Sequence, residues 1–281
     1  MIQILIFLNF IIFQYCHTAV AEVIIPMKMS EQNQTETLTE EQKSNSNPDY
    51  FYMPVGKQPN SGISYFQYFE ILQYFSTIYP QIQFPIEWME PYFAAFAKKE
   101  NKIRQVHVWG GLVRMPTATL PIVLTAICHE IGHHMGGNPL QDQVKGGEWA
   151  SAEGQADYFA ARHCLPRTFY DHPHWFDSLE KDFKQINSTQ IDLKKCLDNK
   201  YCRVSVLSGY QMFQSFSKLP HSMPEKIEFQ LIAEPTTKSI LQTYPPLQCR
   251  FETFFSGGYC LIDAKSKNCQ RPVCWYRENS K

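Results

Sequence analysis

Three histidines, a glutamate and a cysteine fall within seven residues, Cys128 to His134, in the stretch ICHEIGHHMGG. His129, Glu130 and His133 make an HExxH pattern. Residues four apart on a helix lie one turn above each other, so His129 and His133 can aim two imidazoles at one metal ion. Glu130 sits about 100° around the helix from His129 and can reach a water on that ion instead of the ion itself. His134 follows a ligand position directly and therefore points elsewhere, as does Cys128. Chance alone produces an HExxH in roughly one or two chains of this kind per hundred, so three fixed positions need support from outside the stretch.

That support comes from EGQAD, where Glu153 and Asp157 are again four residues apart on one face. A carboxylate there can supply a third ligand. Three protein ligands with one open position are what a catalytic zinc requires, whereas a structural zinc is closed by four, usually including cysteines. Asp157 would then accept the second ring N–H of a ligating histidine and fix its tautomer. Two imidazoles and a carboxylate select zinc, although iron, manganese or cobalt suit the same donors. A di-iron site would need a second ExxH, and no other glutamate in the chain has a histidine three residues on.

HExxH followed after 19 residues by ExxxD resembles the gluzincin metallopeptidases, the clan of thermolysin. The likeness covers roughly residues 106–164, whose strand-then-helix entry is also similar to membrane-associated and secreted bacterial peptidases. EWASAEGQADYFA further resembles uncharacterised exported bacterial metallopeptidases with a Cys-rich tail. The gluzincin resemblance implies one zinc ion held by His129, His133 and Glu153, with Glu130 as general base and Asp157 bonded behind a ligand. It also implies a zincin-like α+β fold that is mostly helical with a small sheet, acting on a peptide or protein substrate. Thermolysin's calcium sites and downstream histidine have no counterpart here, so the group that stabilises the oxyanion is open among Tyr158, His163, His172, His174, Tyr210 and His221. Two other functions stay in play: a metallohydrolase acting on non-protein amides such as cell-wall peptides, and a non-catalytic exported binding module with the same core.

These residues need rigid elements to hold them. Thr117 or Thr119 can cap a helix that accepts Pro121 in its first turn and runs through IVLTAICHEIGHH until Gly136-Gly137 stop it. A second helix over EWASAEGQADYFAARHC carries Glu153 and ends before Pro166. Upstream, ISYFQYFEILQYFSTIY places Phe66, Phe69, Leu72 and Phe75 at spacings of three, the stripe of an amphipathic helix facing the core. PIEWMEPYFAAFAKKENK reads as another helix. RQVHVWGGLVRM reads as a strand interrupted at Gly110-Gly111 by a bulge or a close backbone approach, and as an edge strand it would hold an extended substrate by main-chain hydrogen bonds. RVSVLSGYQMFQSFSKL reads as helical, and the region after Pro235 as short strands and loops tied by disulfides.

The rest of the composition sets the compartment. Residues 1–21 combine an apolar run with Ala19-Val20-Ala21, a pattern expected of a cleaved signal peptide. Residues 22–50 are polar enough to read as a flexible leader, which leaves 51–281 as one metallopeptidase domain with a Cys-rich C-terminal part. Eight cysteines follow the signal, an even number that reads as up to four disulfides in an exported chain, secreted or periplasmic. A Cys128–Cys164 bridge would join the two site helices. No CxxC pair suggests a structural zinc site. Asn33 and Asn187 open glycosylation sequons. A net charge of −1 gives no reason to expect nucleic acid as a partner, and no stable membrane insertion is expected after signal cleavage.

Overall fold

A computed structural model describes residues 62–141, 148–186, 188–217 and 226–277. The expected signal peptide and leader, Asn187 and His221 lie outside the described residues. The architecture is α+β, about half helical with one small three-stranded sheet, and all eight downstream cysteines are paired: Cys128–Cys164, Cys196–Cys202, Cys249–Cys274 and Cys260–Cys269. Among the described residues no helix is long and apolar enough to cross a membrane.

Helix α1 spans Tyr65–Ile78 and starts in a capping box, with Ser64 and Gln67 each bonding the other's main chain. It buries Tyr68, Ile71, Leu72 and Phe75, while Phe66 is 80% exposed and Phe69 39%. The expected helix is there but half of its expected stripe is not. A strict spacing of three loses about 60° per step, so 66 and 69 wind off the face that 68, 71, 72 and 75 share.

The expected helix over 85–102 is instead a turn region followed by a strand. Strands β1 (Ile82–Gln83), β2 (Ala95–Glu100) and β3 (Ile103–Val108) form a sheet in the order β1-β3-β2, with β1 parallel and β2 antiparallel to β3. Asn101 and Lys102 join β2 to β3 with positive φ at both residues, the two-residue hairpin geometry that matches strand twist. Ala, Lys and Glu favour helix locally, but pairing along all six residues of β2 overrides that preference. It also makes β2 the edge strand. The strand expected at the edge, β3, is the central one.

Instead of a bulge, Gly110-Gly111 begin a single helical turn, α2 (Gly110–Val113). The close approach is real, since a Cβ on Gly110 would collide with the Trp88 carbonyl and one on Gly111 with the Pro91 carbonyl. Helix α3 (Leu120–Met135) then crosses the core, buried from Pro121 to His134, with Pro121 in its first turn and Gly136 and Gly137 at its end. Thr119 occupies the cap position without bonding the helix's first N–H groups, its hydroxyl donating instead to Gln211 Oε1 at 3.1 Å.

Helix α4 (Glu153–Phe159) is shorter than expected and passes into a π turn at Ala160–Cys164 and then helix α5 (Leu165–Asp171). Pro166 does not end this rod. The hydrogen-bond ladder has widened so that the Leu165 N–H bonds the Ala160 carbonyl, and Pro166 enters in the first turn of the renewed α-helix, where its missing N–H costs little. Helices α6 (Leu179–Gln185), α7 (Ile191–Asp198) and α8 (Lys200–Phe216) follow. The C-terminal region, expected to be strands and loops, contains a 13-residue helix, α9 (Leu247–Tyr259), packed against α8 and α4. Its Gly257 and Gly258 sit against the main chains of Tyr158 and Cys202, so glycines that read as loop in the sequence are close-packing contacts in a helix.

Candidate metal centre

Helix α3 places His129 and His133 one turn apart, and Gly132 between them lets α4 come close. A Cβ at Gly132 would lie 2.6 Å from the Ala156 carbonyl oxygen, so any larger residue would force the two helices apart. The Ser151 N–H bonds the His133 carbonyl, and α4 starts two residues later with Glu153 facing the imidazoles.

His129, Glu130 and His133 bring ligand atoms within 4.8 Å of one another, all buried, so this group could hold a metal ion. Glu153 makes the tighter set. Its Oε2 lies 3.1 Å from His129 Nε2, its Oε1 lies 3.5 Å from His133 Nε2, and the two Nε2 atoms are 3.2 Å apart. Donors bound at 2.0–2.1 Å around a tetrahedral ion stand about 3.3–3.4 Å from each other. Glu130, at 3.9 Å from His133 Nε2, is set further back. One oxygen of Glu153 thus stands near each imidazole, and the two histidines with these carboxylates could hold a metal ion.

Both imidazoles are held by their other nitrogen. His133 Nδ1 lies 2.8 Å from the Ser151 carbonyl, which accepts its N–H and leaves Nε2 free for the centre. His129 Nδ1 lies 2.8 Å from Asp157 Oδ1 in the same way. Asp157 is in turn gripped by Arg250 on α9, whose Nε and one terminal nitrogen reach its two oxygens at 2.7 and 2.9 Å. The same guanidinium lies 4.0 Å from Glu153 and stacks over Phe213 and Tyr244. Gln141 donates to Glu153 Oε1 at 3.4 Å.

The charges are strongly coupled. Burial would depress His129, but the carboxylates of Asp157 and Glu153 outweigh it and carry its pKa up to about 10. Burial raises Asp157, and Arg250 and His129 more than reverse this, holding it at about 2. Burial lowers His133 to about 4. Burial also pushes Glu130 up to about 8, only partly opposed by His129, and neither of its oxygens makes a hydrogen bond of normal geometry among the described residues. A carboxylate so enclosed is costly unless something polar or cationic approaches it, which agrees with a candidate cation site beside it.

The neighbours have other tasks. His134 bonds the Gln105 carbonyl through Nε2 at 2.9 Å and stacks on Trp149, so it stands outside the ligand set. Cys128 bridges to Cys164 with a Cα–Cα distance of 5.5 Å, joining α3 to the π turn as the helix positions suggested. Tyr158 bonds the Cys269 carbonyl, Tyr210 packs on Phe229 and Phe251, His163 on Phe159, and His172 and His174 on Trp175, which places these five away from the centre. Tyr244 comes nearer: burial and then the Glu153 charge push its phenol well above the ordinary value. Arg250, Gln141 and Tyr244 were missed in the sequence. The one signal was an arginine alone among aromatics in CRFETFF, informative only once that stretch is known to be a buried helix.

In comparisons with protein-family profiles, curated proteins and solved structures, nothing matches this chain.

Proposed function

We propose that the protein is an exported zinc-dependent metallopeptidase with a zincin-like core, in which His129, His133 and Glu153 hold one zinc ion and Glu130 is the general base. The observation that carries this reading is the convergence of two imidazoles and the Glu153 carboxylate on one buried point beside Glu130, a buried carboxylate whose oxygens make no hydrogen bond of normal geometry among the described residues. Bound there, zinc would lower the pKa of a coordinated water to about 7 and polarise a carbonyl.

The remaining work belongs to the chain. Glu130 takes the proton of the attacking water and returns it to the leaving amine, a role that its position, 3.9 Å from His133 Nε2 beside the candidate ligands, allows. Asp157 and Arg250 keep the His129 ring turned to the centre, and the Ser151 carbonyl does the same for His133. An extended peptide can add to the free edge of β2, whose Ala97 main chain adjoins Glu130. The guanidinium of Arg250 and the phenol of Tyr244 are the donors best placed to meet developing negative charge. A module that only binds would have no use for Glu130, whose burial is expensive. Four disulfides fit folding in an oxidising compartment and thus export.

Metal analysis and peptide-library digestion of wild type beside Glu130→Gln test the reading. The expected result is about one equivalent of zinc in both proteins and cleavage by wild type alone. Cleavage retained in the variant, or a wild type without stoichiometric transition metal, refutes it.

A further inference from the structure

The β2–β3 hairpin carries an unbalanced charge pattern. Lys99 on β2 and Arg104 on β3 are directly opposite each other in the antiparallel register. Side chains so paired share a face, and like charges there repel. Lys98 is neutralised by Glu100 at 2.9 Å, but neither Lys99 nor Arg104 has an acidic partner among the described residues, and Lys102 in the turn adds a further positive charge.

The face is the buried one, and both strands of the hairpin pack on the HExxH helix. On β3, Arg104 alternates with Val106 and Val108, both fully buried, and on β2 Lys99 alternates with Ala97 and Ala95, also fully buried. Arg104 reaches over to Met135, the last residue of the HExxH helix, with its guanidinium 3.6 Å from the sulfur. The C-terminal end of that helix favours one cation nearby but does not account for a second one facing it on the edge strand. Two residues of strand, about 7 Å, separate Lys99 from Ala97 beside Glu130.

We propose that Lys99 and Arg104 form an acid-reading subsite, so that the preferred substrates are peptides with an Asp or Glu side chain about two residues from the cleaved bond. The inference rests on the peptidase reading above and names its substrate class. A peptide lying along the β2 edge sets one side chain beside Lys99, where a carboxylate relieves the repulsion between the two cations and a Lys or Arg adds to it. Because Lys99 is exposed, the effect belongs to substrate binding and weakens with added salt.

The test is a set of peptides, identical except for Glu, Gln or Lys scanned through the three positions on each side of the cleaved bond, digested by wild type, Lys99→Glu and Arg104→Gln. Wild type should favour Glu over Lys by at least about fivefold in kcat/KM at one position, mainly through KM, and lose that preference at high salt. Lys99→Glu should reverse the order at that same position, and Arg104→Gln should flatten it. Cleavage indifferent to charge at every position, or a preference that survives Lys99→Glu, overturns the subsite and leaves the peptidase reading intact. No cleavage of any peptide by zinc-loaded wild type overturns both.

Discussion

Replacing Arg250 by leucine should expose how much of the centre depends on a residue that touches none of its proposed ligands through a short bond. Arg250 and Asp157 are both almost wholly enclosed, joined by two charge-assisted bonds of 2.7 and 2.9 Å. Leucine removes the cation and leaves Asp157 as a buried charge with His129 as its sole remaining partner among these groups, a change that costs about 3–5 kcal/mol. Against a typical total of 5–15 kcal/mol, that is a large fraction of the stability of a domain. The acid limb gives an independent measure. Asp157 ionises at about 2 in the folded protein against an ordinary 3.8. Its depressed pKa contributes stability that is present above 3.8 and is lost as pH falls through 2, about 2 kcal/mol in all. Denaturant unfolding of the metal-free protein between pH 2 and 7 should therefore show wild type losing stability toward acid through this group. Arg250→Leu should start lower and lose less. Zinc competition titrations should also find its affinity down by about 10–100-fold, the usual cost of disturbing a group that orients a ligating histidine. A variant with the wild-type midpoint, the wild-type acid limb and unchanged zinc affinity would refute the coupling of Arg250 to the centre.

Other expectations follow from the same geometry. With its pKa at about 10, His129 is protonated at neutral pH in the metal-free protein, so zinc binding at pH 7 should release about one proton or more, measured by calorimetry in buffers of different ionisation enthalpy. The raised value also means that His129 stabilises the metal-free fold fully below 6.5, and that this contribution is lost as pH rises through about 10. Gly132→Ala should destabilise the fold by about 1–3 kcal/mol and weaken zinc binding, because its Cβ would press on the Ala156 carbonyl; unchanged stability and affinity would mean the helices are not held at contact distance. Removing the Cys128–Cys164 bridge, which closes 36 residues, should lower stability by about 4 kcal/mol in reversible unfolding, with equal midpoints as the contrary result.

The parts of the site that were legible in the sequence are those written in local terms. Helix α3 announces itself through Pro121 and Gly136-Gly137, and the spacing of His129, His133, Glu153 and Asp157 follows from helix periodicity once α3 and α4 are drawn. Strand β2 was hidden because AFAKKE has helical preferences, and only its six-residue pairing with β3 makes it extended. The π turn before Pro166 leaves no local signature; the proline itself argued for an end that does not occur. Arg250 stands 93 residues from Asp157 and 121 from His129, and no periodicity connects positions so distant. Such partners are fixed by packing of α9 on α4, a tertiary fact.

Two of the three helices at the centre carry a disulfide next to a site residue, and the third is touched by the residue after a bridged cysteine. Cys128 precedes His129, Cys249 precedes Arg250, and its partner Cys274 precedes Trp275, which lies buried on Gly154 beside Glu153. The bridges at Cys128 and Cys249 thus hold His129 and Arg250 in place whether or not an ion is bound. On the proposed function, folding and metallation would be separate events: the chain would oxidise and fold first and take up its metal afterwards. A chelator should then empty the finished protein and a metal salt refill it, with the tertiary circular dichroism unmoved throughout, unlike a zinc finger that collapses when stripped.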